Sequence, residues 1–98
     1  LLTDVKSSVR YTAAERLGYI GDRAAVPALL KALDSDVDPY VLACVAMALG
    51  RIGDVSVIPT LQKAFEGYDR KESYGYMFEA ALRDLEFLHK REDRESGA

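Results

Sequence analysis

Few side chains in this sequence have the chemistry of a reactive centre. The single histidine, His89, is followed by Lys90, and the single cysteine is Cys44. A metal site needs three or four converging His, Cys or carboxylate ligands, and acid–base work needs a positioned partner group. Nothing of that kind surrounds His89, and a solvated imidazole near a helix end accounts for it. Cys44 would need a neighbouring base to become a nucleophile; as a small buried residue on a crowded helix it needs none. Gly18 and Gly21 close a helix instead of following a strand, so they form no phosphate loop. Glu92, Asp93 and Glu95, interleaved with Lys90, Arg91 and Arg94, read as a solvated mixed-charge end. The expectation is a chain that is not an enzyme, with no catalytic residue, no metal and no cofactor.

What remains is binding chemistry, and it depends on a repeat. Val9–Asp22 can be laid without a gap on Val41–Asp54 at a shift of 32 residues, and Pro27, Leu29, Lys31 and Ala32 continue onto Pro59, Leu61, Lys63 and Ala64. Eleven of the 26 positions from 9 to 34 are identical. Residues 1–5 match the end of a unit, 6–36 and 37–67 are two full units, 72–90 is a divergent closing helix and 91–98 a charged, frayed tail. The closing helix aligns at a shift of 33, with Arg83 and Glu86 where the units have glycine.

Each unit reads as two helices. At 100° per residue Val9, Ala13, Leu17 and Ile20 share an apolar arc in the first helix, opposite Tyr11, Thr12, Glu15 and Tyr19. Arg10 falls inside that arc, where its stem can lie on the core and lift the guanidinium to water. Gly21 and Gly53 end the first helices, because glycine enters the left-handed region at little cost. Asp22 and Asp54 cap the second helices, and Pro27 and Pro59 belong in their first turns. Asp38-Pro39 opens the middle unit as cap and first helical residue, and Ser7 is expected to cap the first. Val26, Leu29, Leu30 and Leu33 point inward, as do Ile58, Leu61 and Phe65 one unit on. In the closing helix Tyr74, Met77, Phe78, Ala81, Leu82, Leu85 and Leu88 form one stripe.

Two surfaces follow from this placement. If the second helices turn their leucines inward, then Arg23, Ala24, Ala28 and Lys31 of unit one and Val55, Ser56, Thr60 and Lys63 of unit two face outward as one strip. Lys31 and Lys63 repeat in register, about one helix spacing apart, roughly 10 Å, and can engage acidic groups on a partner protein. The second surface is the outer face of the middle unit. Where unit one has Tyr11, Thr12 and Glu15, unit two has Ala43, Cys44 and Met47. With Tyr40 beside them, Ala43 and Met47 are a candidate self-association patch, covered by a second copy or by another part of a longer chain.

Composition bounds the rest. Ninety-eight residues make one small domain, and 49% hydrophobic with 30% charged residues supplies a core. The net charge of −3 lacks the basic surplus of a phosphate binder, so no nucleic-acid partner is expected. No apolar run approaches the ~18 residues of a membrane span and no leading segment reads as a secretory signal, which points away from membranes and to the cytoplasm. The start at Leu1, without methionine, suggests a processed fragment or part of a longer chain.

Val-Arg-x3-Ala-x2-Leu-Gly-x-Ile-Gly-Asp, followed by Val-Pro-x-Leu and Lys-Ala-Leu, resembles the short HEAT-like repeat of the phycobilisome-lyase type, over Asp4 to about Phe65. The resemblance implies an all-α fold, a short right-handed α-solenoid of helical hairpins, with first helices on the convex side and second helices lining the concave side. It implies a protein-binding scaffold. Two enzymatic relatives are also implied. Bilin lyases carry the repeat, so a scaffold subunit of such an enzyme complex is the alternative function. Deoxyhypusine hydroxylase, similar in fold, binds iron through repeated His-Glu pairs; one histidine followed by lysine cannot supply them.

Overall fold

The computed structural model describes residues 1–68 and 74–96. Every regular element among them is helical. Helix α1 spans Ser7–Ile20, α2 Val26–Ser35, α3 Pro39–Ile52, α4 Ile58–Glu66 and α5 Gly75–Ser96. The smallest extent of the molecule, 17 Å, is that of two stacked helix layers.

The local punctuation of the two units follows from their caps. Gly21 and Gly53 stand in the left-handed region at φ 73° and 79° and return their N–H groups to Leu17 and Leu49. Asp22 and Asp54 then accept from the N–H groups of Ala24 and Ser56 at 2.9 and 3.0 Å. Each caps a single 3-10 turn, Arg23–Ala25 or Val55–Val57, which delivers the chain into α2 or α4 with proline in the first turn. Asp38 accepts from Tyr40 and Val41 N–H and opens α3 at Pro39. Unit one departs from this. Ser7 is already helical, the cap position falls on Lys6, and no side chain caps α1. The Asp4 carboxylate instead accepts from Lys6 N–H at 2.9 Å, fixing the entry from outside the helix.

The first helices α1, α3 and α5 lie side by side, and small residues set their spacing. A Cβ on Gly18 would come 2.8 Å from Ala48 Cα, and one on Gly50 would come 2.9 Å from Ala81 Cα. Both seams bring backbone against backbone, well inside the ~3.5–4.0 Å of ordinary carbon contact. Glycine is therefore required there by closeness, while Gly21 and Gly53 are required by φ.

Close stacking adds a second seam beside the arc that the periodicity of α1 suggests, and that arc fails only at its end. Ala13 of that arc is buried and Val9 and Leu17 are half-buried, but Ala14 and Gly18 are buried too, Tyr11 and Glu15 are half-buried, and Ile20 is 72% exposed. The corresponding residue of the middle unit, Ile52, is 9% exposed because the middle unit has a helix layer on either side. Arg10 also departs from expectation. Its guanidinium, only partly exposed, is engaged by the protein: Nε donates to Asp36 at 2.7 Å and Nη1 to the carbonyls of Asp4 and Val5 at 2.9 and 3.1 Å. Burial pushes the Asp36 carboxyl up, but the Arg10 hydrogen bond and the Asp38 N–H prevail and hold it below the usual carboxylate range.

The closing helix buries Phe78, Ala81 and Leu85 and half-buries Tyr74, Met77, Leu82 and Leu88, as its stripe requires. It does not fray at 91, since helix continues to Ser96. With Glu86 in place of the terminating glycine, nothing turns the chain. The stretch from 69 to 73, which includes the expected start of the closing helix at 72, lies outside the described residues, as do 97 and 98.

Candidate functional site

The outer patch expected on the middle unit is only partly exposed. Ala43 is fully buried and Cys44 is 1% exposed, because α1 and α5 flank α3 on both sides. Met47 is half-buried, and Tyr40 is held between two other rings. Its centroid lies 4.9 Å from Tyr11 and 4.8 Å from Tyr74, both edge-on, the arrangement aromatic quadrupoles favour. Tyr40 and Ala43 therefore belong to the helix seam, Met47 stays half-buried, and the apolar α3 reflects neighbours within the chain. The Cys44 thiol donates to Glu15 Oε1 at 3.8 Å, and burial pushes it up to about 11, so it is protonated at neutral pH. The Tyr40 hydroxyl is pushed up to about 12 by the adjoining Cys44 and by its own burial.

The second-helix strip is exposed as expected. Arg23, Ala24, Ala28, Lys31, Ser56, Thr60 and Lys63 face solvent, and Val55 is half-buried. The structure does not gather them into one site. Ala28 borders a depression of about 410 Å³ shared with Leu1, Leu2, Arg16 and Leu17. Ser56 is engaged with Asp54, its Oγ donating at 2.6 Å, and this bond holds the Asp54 carboxyl low, helped by Arg23. Lys31 lines no cavity among those described. Thr60 and Lys63 do come together, in a groove of about 590 Å³ between α2 and α4 whose other walls are Leu30, Leu33, Asp34, Pro59 and Ala64.

This groove exists because the two layers pack differently. The first helices meet at glycine; α2 and α4 carry Leu33, Lys63 and Ala64 at the corresponding level and stand apart. A second pocket, of about 430 Å³, adjoins it through those same three residues and runs under the α2–α3 connection to Leu42, Tyr68 and Phe78. Sequence reasoning missed these last three and Leu30, Asp34 and Pro59. The available signal was the mismatch of the two units at Arg10 and Leu42.

His89 lies outside this region, more than half exposed, with Nε2 3.6 Å from Asp93 on the next turn. Among the described residues no group of three or more His, Cys, Asp or Glu side chains could hold a metal ion. No described helix is long and apolar enough to cross a membrane.

A helical hairpin repeated at 32 residues, stacked through the first helices, is the arrangement described by the HEAT-repeat family, whose profile matches residues 1–73. The chain belongs to the HEAT-repeat family. HEAT repeats generally mediate protein–protein interaction, and in this HEAT-repeat protein the matched region contains both units and the groove between α2 and α4. A search of curated proteins found no match.

Proposed function

We propose that this HEAT-repeat chain is a non-enzymatic protein-interaction module that binds its partner on the second-helix face, the concave side of the expected solenoid. The observation that carries the reading is the groove between α2 and α4, bordered by Lys63 on a layer whose Arg23 and Lys31 are also exposed. The first-helix layer is closed against itself by the glycine seams; its depression, about 520 Å³, is lined by Thr12, Glu15, Arg16, Tyr19 and Ile20 of α1 alone and does not lie between the two units. An acidic partner surface suits the repeated lysines. Within the HEAT repeats we assign the units to the phycobilisome-lyase type, on Leu17-Gly18 and Ile20-Gly21-Asp22 and their counterparts Leu49-Gly50 and Ile52-Gly53-Asp54.

The test is quantitative capture with in-cell cross-linking, comparing the wild type with the Lys31→Glu, Lys63→Glu double variant. Partner recovery is expected to fall at least tenfold while the melting temperature stays within about 2 °C, since exposed substitutions change stability little. Undiminished recovery by a folded double variant refutes the second-helix face.

A further inference from the structure

The two units differ most where the repeat places them in register. At the 32-residue shift Val5, Arg10 and Asp36 correspond to Val37, Leu42 and Tyr68. In unit one the Arg10 guanidinium occupies the space between its helix pair and the segment that enters it. It is bound there by the Asp36 carboxylate and the Asp4 and Val5 carbonyls. Unit two has no cation for this position. Leu42 and Tyr68 stand there instead, the Tyr68 hydroxyl donates to the Pro39 carbonyl at 2.8 Å, and the 430 Å³ pocket opens among them. A gap that unit one fills with its own side chain is left unfilled in unit two.

The lining states what suits it. Leu33, Leu42 and Phe78 supply apolar wall, and Lys63 is the one charged residue among the described residues of the lining. Lys63 is exposed and makes no hydrogen bond or ion pair among the described residues. No buried side-chain nitrogen or oxygen among the described residues lacks a partner, so the wall offers contact and not further hydrogen bonds. The volume lies in the usual range for ligand sites, about 300–1,000 Å³. The groove that adjoins it gives an extended chain a path across α2 and α4.

We infer that this pocket binds a peptide segment that places one apolar side chain among Leu33, Leu42 and Phe78 and a carboxylate against the Lys63 ammonium. The inference rests on the protein-binding reading and narrows it. Lys31, the repeat counterpart of Lys63, is exposed and lines none of these cavities, and in its unit Arg10 is paired with Asp36. Specificity then comes from unit two, and the strip does not act as two equal lysines.

The experiment is an amide-shift titration of the isotope-labelled chain with two synthetic probes, N-acetyl-Asp-Leu-Phe-Asp-amide and its Asn-Leu-Phe-Asn counterpart. The acidic probe is expected to move the amides of Leu33, Lys63 and Ala64 and to bind about fivefold more tightly than the amide probe, the scale of one exposed ion pair. Lys63→Gln removes that difference and Lys31→Gln retains it. The paired change Leu42→Arg with Tyr68→Asp rebuilds the unit-one ion pair in unit two and is expected to abolish binding; if that chain does not fold, Lys63→Gln decides alone. Equal binding of the two probes to the wild type, or no shift at Leu33, Lys63 and Ala64, overturns the pocket. Octanoate binding there as tightly as the acidic probe overturns the peptide as occupant. Shifts confined to Arg23 and Ala28 overturn the pocket but leave the second-helix face standing, whereas capture unaffected by the double charge reversal removes that face itself.

Discussion

Replacing Gly50 by alanine separates local helix preference from tertiary closeness. In an isolated helix the change is favourable, because alanine exceeds glycine by about 1 kcal/mol in helix propensity. In the fold the new Cβ meets Ala81 Cα and Cβ, both at 2.9 Å. Optimal carbon contact is about 3.5–4.0 Å, so α3 and α5 must separate by roughly 0.6 Å or more. No rotamer change relieves this, because one obstructing atom is backbone. A gap of that size forfeits about a quarter to a half of each dispersion contact along the seam, and overpacking of this kind costs about 1–3 kcal/mol. The net expectation is a destabilisation of about 1–2 kcal/mol, with Gly50→Val worse. Gly75 is the control, since among the described residues the nearest neighbour to a new Cβ is Phe65 Cε1 at 3.8 Å and its φ is not positive. There alanine should be neutral or stabilising by up to about 1 kcal/mol. Urea titration followed by far-UV circular dichroism measures both. If Gly50→Ala stabilises the chain as much as Gly75→Ala does, the glycine seam is not a close contact and the stacking argument fails.

The Arg10–Asp36 pair makes a prediction in pH. A carboxylate held below its unfolded value of about 4 adds stability that is complete above that value and lost as pH falls through the folded one. The urea midpoint of the wild type should therefore drop below about pH 4, and Arg10→Met should lower the midpoint at neutral pH and flatten that drop; an unchanged acid profile would show that Asp36 gains nothing from Arg10. The caps give a paired test by thermal melting. Asp38→Ala removes an acceptor for two N–H groups and should cost about 0.5–2 kcal/mol, whereas Lys6→Ser places a hydroxyl at an uncapped start and should gain up to about 1 kcal/mol. A loss of stability in Lys6→Ser would mean that the Asp4 turn already does the work of a cap.

The parts of the fold that depend on neighbours in sequence were readable without coordinates. Glycine at φ > 0, aspartate at a helix start and proline in a first turn are local matters, and Gly21, Gly53, Asp22, Asp54, Asp38, Pro27 and Pro59 all sit where their chemistry places them. The closing helix was readable because it has one buried side. Helix α1 was read in part: Ala13 is buried and Leu17 packs on the core, but Ile20 is exposed, and the seam with α3 is built from Ala14 and Gly18, residues that carry little hydrophobic weight yet permit the closest approach. Helix α3 was misread because an apolar surface all round means neighbours on several sides, and a sequence does not say whether these come from the same chain. The partner of Arg10 lies 26 residues away, beyond any periodic argument. At the candidate site, exposure along the second helices was readable from the wheel. The groove was not, since it arises from the separation of α2 and α4, and the pocket that adjoins it takes side chains of α3 and α5 as well.

The unequal packing of the two layers also has a mechanical meaning. Along Gly18–Ala48 and Gly50–Ala81 the helices touch backbone to backbone, and any displacement there compresses atoms that have nowhere to go. Between α2 and α4 the walls are side chains bordering open space. A load applied to the stack therefore meets a stiff spine on one side and a compliant edge on the other. The easiest deformation is a leaf-like opening that pivots on the glycine seams and changes the width of the groove while leaving the core undisturbed.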